Sequence, residues 1–182
     1  MGIIYRLVSH SDLALEQVKE LYTSAFPADE RRDFSDFTSL LSCGAFSVWG
    51  AFDADENDSL LAFITFWKLD EIMYLEHFAV VPQMRGHGIG REVFGNFLDK
   101  VASTIVLEVE PPTTPIAVRR IRFYESLGLK LWNSVHYVQP PYGPDRQPLE
   151  LKLMTHGDVS QEMLERAIKQ MHSRVYGCSS AE

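Results

Sequence analysis

The segment from Glu76 to Val101 constrains this chain more than any other. An apolar strand, Phe78-Ala79-Val80-Val81, stops at Pro82. Glycines at 86, 88 and 90 follow, and a helix carrying Val93, Phe94, Phe97, Leu98 and Val101 on one face begins at once. Closely spaced glycines let the backbone turn sharply and let main-chain amides converge with no Cβ atoms in the way. At a helix N-terminus those amides and the helix dipole make an anion site. A phosphate or pyrophosphate is the natural guest, and Arg85 and Arg91 can add positive charge.

Around this turn the periodicities give an element order. Residues 3–9 read as a strand. Ser9, Ser11 or Asp12 can cap a helix with Leu15, Val18, Leu21, Tyr22 and Ala25 at helical spacing, which Pro27 interrupts. After the polar run Asp29 to Asp33 comes a second helix with Phe34, Phe37, Leu40 and Leu41, with Gly44 as its stop. Strands are expected over 45–52, 60–68 and 72–81, with a turn over 53–58. After the glycine turn and its helix, residues 104–109 read as a strand. The prolines at 111, 112 and 115 mark a loop, and a short helix with Ala117, Ile121 and Tyr124 on one face ends at Gly128. Strands over 129–138 and 149–154 flank a proline-rich stretch that cannot be a central strand. Asp158 and Gln161 resemble a capping box for a last helix, about 158–176, with a stripe of Val159, Met163, Ala167, Ile168, Met171 and Val175. The stripe suits core packing or contact between two copies of the chain, so a homodimer stays open. The order β-α-α-β-β-β-α-β-α-β-β-α predicts one α/β (α+β) domain over 1–182 with a mixed sheet.

The turn excludes two common phosphate loops. In the dinucleotide fingerprint G-x-G-x-x-G the third glycine would stand at 91, not 90, and no acidic residue ends a suitable second strand about 20 residues on. The pattern G-x-x-x-x-G-K-S/T fails because no Lys-Ser or Lys-Thr follows. The pattern Gln/Arg-x-x-Gly-x-Gly/Ala fits twice, as Gln83…Gly86…Gly88 and as Arg85…Gly88…Gly90. Further on stands Phe123-Tyr124-Glu125-Ser126-Leu127-Gly128-Leu129. The two motifs, in this order and at this spacing, resemble the acetyl-CoA pyrophosphate loop and the following F-Y-E-x-x-G-F helix of the GNAT acetyltransferase superfamily. The resemblance covers about residues 3–155. The stretches Leu107 to Pro112, Arg119 to Glu125 and Tyr137 to Tyr142 are similar to a bacterial subgroup of that superfamily.

The resemblance implies a GNAT fold, with a mostly antiparallel sheet flanked by helices and an added C-terminal helix. It implies acetyl-CoA as co-substrate and a small-molecule or peptide amine as acceptor, attacked directly with no acyl-enzyme. It implies main-chain contacts from Phe78, Ala79 and Val80 to the pantetheine arm, and pyrophosphate contacts from Arg85, Gly86, His87, Gly88, Ile89, Gly90 and Arg91. Tyr124 aligns with the family tyrosine near the CoA sulfur. A phenol with an ordinary pKa near 10 stays protonated at neutral pH and can donate to a thiolate. Glu76, on the strand entering the loop, is the candidate general base. Period-2 alternation puts Glu76 and Phe78 on one face, Leu75 and His77 on the other. His77, Glu108 and Glu110 are weaker candidates. The family asparagine that contacts CoA after the fifth strand is missing, since Glu110-Pro111-Pro112-Thr113-Thr114-Pro115 stands there. Phe26 to Arg32 and Tyr137 to Tyr142 are the segments expected at the acceptor, although a charged run such as 29–33 reads first as a solvated face.

Charge narrows the partners. Lys plus Arg is 17 against 25 for Asp plus Glu, a formal net charge of −8. That disfavours sequence-independent nucleic-acid binding and suits a cationic or neutral acceptor. Cys43 and Cys178 form neither a C-x-x-C pair nor a metal-like cluster, so two free thiols and no metal are expected. The chain opens without a basic start and apolar run, and no stretch nears the roughly 20 apolar residues of a membrane span, so a cytoplasmic protein is expected. Two other readings fit the same turn: a non-catalytic acyl-CoA sensor, and a nucleotide-binding protein.

Overall fold

Asp12 starts the first helix. Its Oδ1 accepts the Ala14 amide at 2.9 Å, and α1 (Ala14–Ala25) runs until Phe26 turns extended ahead of Pro27. In the computed structural model, residues 2–55 and 58–177 are described. Residues 56 and 57 of the expected 53–58 turn, and Cys178, lie outside them, while Cys43 is a free, exposed thiol. The strands are β1 (Ile3–Leu7), β2 (Phe46–Asp53), β3 (Ser59–Lys68), β4 (Met73–Val80), β5 (Ile105–Val109), β6 (Lys130–Gln139) and β7 (Leu149–His156). The remaining helices are α2 (Phe34–Leu40), α3 (Ile89–Val101), α4 (Pro115–Glu125) and α5 (Gln161–Gln170). Element order and class match the expectation: a mixed, mostly antiparallel sheet flanked by helices.

The chain forms two compact units. The first comprises Met1–Trp67 and Glu76–Val101. In it β1 pairs antiparallel with β2 from Ile3↔Asp53 to Leu7↔Trp49, β2 pairs antiparallel with β3, and β3 neighbours β4. Its core is aromatic. Tyr22 of α1 lies 4.8 Å from the Phe37 ring and 5.0 Å from His77, and Phe94 of α3 lies 5.3 Å from Phe78. β3 is buried on both faces from Leu60 to Trp67, which is why it reads as one continuous apolar run.

The second unit comprises Lys68–Leu75 and Ala102–Glu182. The start of β4 pairs parallel with β5, Met73↔Ile105 to Leu75↔Leu107. β5 pairs antiparallel with β7, and β7 with β6. Thr114 caps α4 by accepting the Ala117 amide at 3.1 Å, with Pro115 at the first helical position. Gly128, at φ 88°, lets the chain leave that helix, as expected. α5 departs from the expected start. Ser160, not Asp158, is its cap, with its hydroxyl accepting the Met163 amide at 3.1 Å. Leu164 and Ala167 of α5 and Met171 and Val175 just after it are buried, while Val159, Met163 and Ile168 of the expected stripe are partly exposed. Among the described residues no helix is long and apolar enough to cross a membrane.

Candidate active site

The glycine turn lies wholly in the first unit. β4 hands over through a 3-10 turn, Pro82–Met84, and Arg85 Nε donates to the Val80 carbonyl at 3.0 Å, tying strand end to loop. Gly86 and Gly88 take φ of 82° and 84°, the left-handed region that costs a side chain strain. A Cβ at either would meet nothing within 4 Å, so the demand for glycine is conformational and the space beside the turn is open. The Gly88 carbonyl accepts the amides of Arg91 and Glu92 and starts α3. The amides just ahead are first-turn donors, which helix geometry leaves without partners inside the helix. Arg85, His87 and Arg91 are exposed. Open left-handed glycines, first-turn amides and two exposed guanidiniums form a donor set that fits a pyrophosphate.

Ahead of the turn, burial along β4 alternates as expected: Leu75, His77 and Ala79 are buried, Glu76, Phe78 and Val80 less so. The Glu76 side chain is nevertheless only 1% exposed. Arg32 Nη2 donates to its Oε1 in a close ion pair, and Trp67 Nε1 donates to Oε2 at 2.9 Å. Burial opposes ionisation, but the Arg32 charge, His77 and the two hydrogen bonds outweigh it and hold the carboxyl below its usual range. Arg32 therefore departs from the solvated reading of its charged run, with a side chain only 10% exposed. Its own amide donates to the Tyr22 hydroxyl at 3.0 Å, and Arg31 Nε donates to the Phe26 carbonyl at 3.0 Å. His77 is locked in the same cluster. Its Nε2 meets the Glu30 carbonyl at 2.9 Å and its Nδ1 meets Thr65 Oγ1 at 3.2 Å. A carbonyl only accepts, so Nε2 carries the proton and Nδ1 accepts from Thr65. Burial keeps the ring's pKa below its ordinary value despite the pull of Glu76.

The second unit holds the other candidates. Tyr124 lies on the buried face of α4 with Ala117 and Ile121, its ring 5.2 Å from Phe123. Burial pushes its phenol up to about 12, against a weaker opposing pull from Arg120. Glu110 forms an exposed ion pair with Arg120 at 2.7 Å. Glu108 is different. Tyr74 donates to its Oε2 at 2.8 Å, Tyr176 lies 3.1 and 3.0 Å from its two oxygens, and Tyr137 donates to Oε1.

The acetyltransferase (GNAT) family model matches residues 15–129. This chain belongs to the GNAT acetyltransferase family. A protein from Bacteroides thetaiotaomicron assigned to GNAT acetyltransferases has 33% identity and a TM-score of 0.89, over 97% of this chain and 99% of that one. Two more distant structures share the fold. Arabidopsis thaliana NAA60 in complex with acetyl-CoA has 17% identity and a TM-score of 0.63, over 85% of this chain and 98% of that one. A chimera of the Vibrio cholerae spermidine N-acetyltransferase SpeG has 17% identity and a TM-score of 0.64, over 86% and 95%. No curated protein matches the sequence.

Within this GNAT acetyltransferase, the first unit contains Glu76, Phe78, Ala79, Val80 and the loop residues, and the second contains Tyr124. Sequence reasoning missed Arg32 and Trp67 as partners of Glu76, and Tyr74 and Tyr176 as partners of Glu108. Period-2 alternation on β4 separates Tyr74 and Glu76 from their neighbours but names no partner.

Proposed function

We propose that this chain moves the acetyl group of acetyl-CoA to a primary amine of a small molecule or peptide. The observation that carries this is the turn: two left-handed glycines with open space beside them at the start of α3, inside the span that matches the family. Acetyl-CoA would supply the activated acyl thioester. The turn amides with Arg85 and Arg91 would hold its pyrophosphate, His87 and Ile89 would contribute main chain, and Phe78, Ala79 and Val80 would line its pantetheine arm. The acetyl-CoA complex of the Arabidopsis relative supports the donor, and the spermidine specificity named for the Vibrio relative supports an amine acceptor.

Tyr124 is the proposed proton donor to the departing sulfur. A phenol at about 12 keeps its proton throughout the physiological range. It also lies above a thiol's ordinary pKa near 8.5, so full proton transfer runs uphill. Its stronger contribution is a hydrogen bond to the charge that develops on sulfur. Tyr124→Phe should cut kcat by about 100-fold or more while leaving the acetyl-CoA dissociation constant in place. Equal loss in both, or no loss, sinks the assignment.

Glu76 is the proposed acceptor of the amine's proton, a role that needs its contact with Arg32 to open, because both oxygens are engaged. That engagement is the one observation favouring a second reading, a non-catalytic acyl-CoA sensor. Thermal shift with acetyl-CoA, followed by CoA release over a panel of amines, separates the two. Stabilisation without release for any amine supports the sensor. Stabilisation by ATP or NAD but not by CoA overturns both.

A further inference from the structure

Leu7 ends β1, the edge strand of the sheet, and is 63% exposed although it is apolar. It stands directly opposite Trp49 of β2, and Phe66 of β3 stands opposite Ser47, two residues from Trp49. Paired residues share a face and side chains alternate between faces, so Leu7, Trp49 and Phe66 lie on one face of the sheet. The end of α3 stands across from them. Phe97, Lys100 and Val101 follow at i, i+3 and i+4, the spacing of one helix face. The Trp49 and Phe97 rings lie 4.8 Å apart, and those of Phe66 and Phe97 5.3 Å apart. These six residues line a cleft of about 150 Å³ that lies wholly in the first unit. It is separate from the glycine turn. Lys100 follows Ile89, where the helix begins, by eleven residues, about 17 Å along the axis.

Size, walls and charge narrow the occupant. An apolar space of this size can hold one benzene-sized ring. Three of the six walls are aromatic, and tilted contacts between rings add an attraction that an aliphatic group of equal size lacks. Lys100 is the one charged residue among the six, and it is exposed, so it stands at the mouth. An ammonium offers three donors and no acceptor, which suits an anion. The carbonyl end of α3 offers no donor of its own, so Lys100 is the partner an anion would meet. Asp99 adjoins Lys100 and is exposed, and the chain carries a formal charge of −8. A single negative charge therefore fits better than several.

We propose that this cleft binds a small aromatic acid, with its single ring between Trp49, Phe66 and Phe97 and its carboxylate on Lys100. The site is distinct from the acetyl-CoA turn, and the proposal stands whether or not the chain transfers acetyl groups.

Calorimetric titration with phenylacetate, cyclohexylacetate and phenylacetamide tests it. Phenylacetate should bind with a Kd of about 5 mM or tighter, the scale for so small a ligand. Cyclohexylacetate keeps the charge and the size but loses the ring's π-face, and should bind about twofold to tenfold more weakly. Phenylacetamide keeps the ring but loses the charge, and should bind about twofold to fivefold more weakly. Lys100→Glu places like charge at the mouth and should weaken phenylacetate about fivefold or more, and the exposure of Lys100 lets that variant fold. Absent phenylacetate binding overturns the proposal. So does equal binding of either analogue, or binding that Lys100→Glu leaves unchanged, which would put the ligand elsewhere. Sedimentation tests the other occupant. A dimer that Leu7→Asp dissociates would give the cleft to a second copy and overturn the proposal, and a monomer sustains it alongside the titrations.

Discussion

Glu76 and Glu108 are both carboxylates on sheet strands, yet one meets a guanidinium and the other meets phenols. Glu76 is sealed, at 1% side-chain exposure, with Arg32 and the Trp67 indole on its two oxygens. Glu108 is half-buried and receives three hydroxyls. The first arrangement cancels charge and depends on every member, since a buried ion left alone is costly. The second arrangement gives a carboxylate hydroxyl donors that orient it. The contrast teaches that the same side chain on a GNAT strand meets a cation in one unit and hydroxyls in the other, according to the partners that folding brings.

The sharpest break in this comparison is Glu76→Gln. It leaves the buried Arg32 charge uncompensated and should cost about 3–5 kcal/mol in urea denaturation. A loss below about 1 kcal/mol would mean that Glu76 is not committed to the pair and is free for proton chemistry. Trp67→Phe removes one donor and should cost about 1–3 kcal/mol in the same measurement.

Acid should find the first cluster. His77 has a depressed folded pKa, so the unfolded chain takes the proton first. Its contribution is present above the ordinary 6.5 and is lost as pH falls. Glu76, depressed below 4.5, adds a second loss at lower pH with the same sign. The slope below 6.5 should reach at most about 1.4 kcal/mol per pH unit for one proton, and His77→Gln should flatten it in melts between pH 7 and pH 5. An unchanged slope would mean that His77 titrates in the folded state. The smallest effect is expected for Tyr176→Phe, about 0.5–1.5 kcal/mol of stability. A loss as large as that of Glu76→Gln would make the Glu108 cluster a structural keystone and erase the contrast.

Much of the local structure was legible. The glycine spacing anticipated the turn, and Gly86 and Gly88 do take left-handed φ. Alternation on β4 separated the faces of Glu76 and His77. The prolines and Gly128 bounded α4. Misreadings fell where several local acceptors compete to cap a helix. Ser160 caps α5 although Asp158 looked equally able, and Leu164 rather than Met163 turns inward. The role of Arg32 was hidden because a charged run has the same appearance in solvent and in a buried pair.

The sequence by itself determined the turn, the element order and the family, because these rest on φ preferences, on periodicity and on motifs whose residues lie close along the chain. Tertiary structure decided which carboxylate meets a guanidinium and which meets phenols. Arg32 lies 44 residues from Glu76, and Tyr176 lies 68 residues from Glu108. Over such separations no local preference selects a partner. The choice falls to packing, which seals one carboxylate against a cation and surrounds the other with phenols.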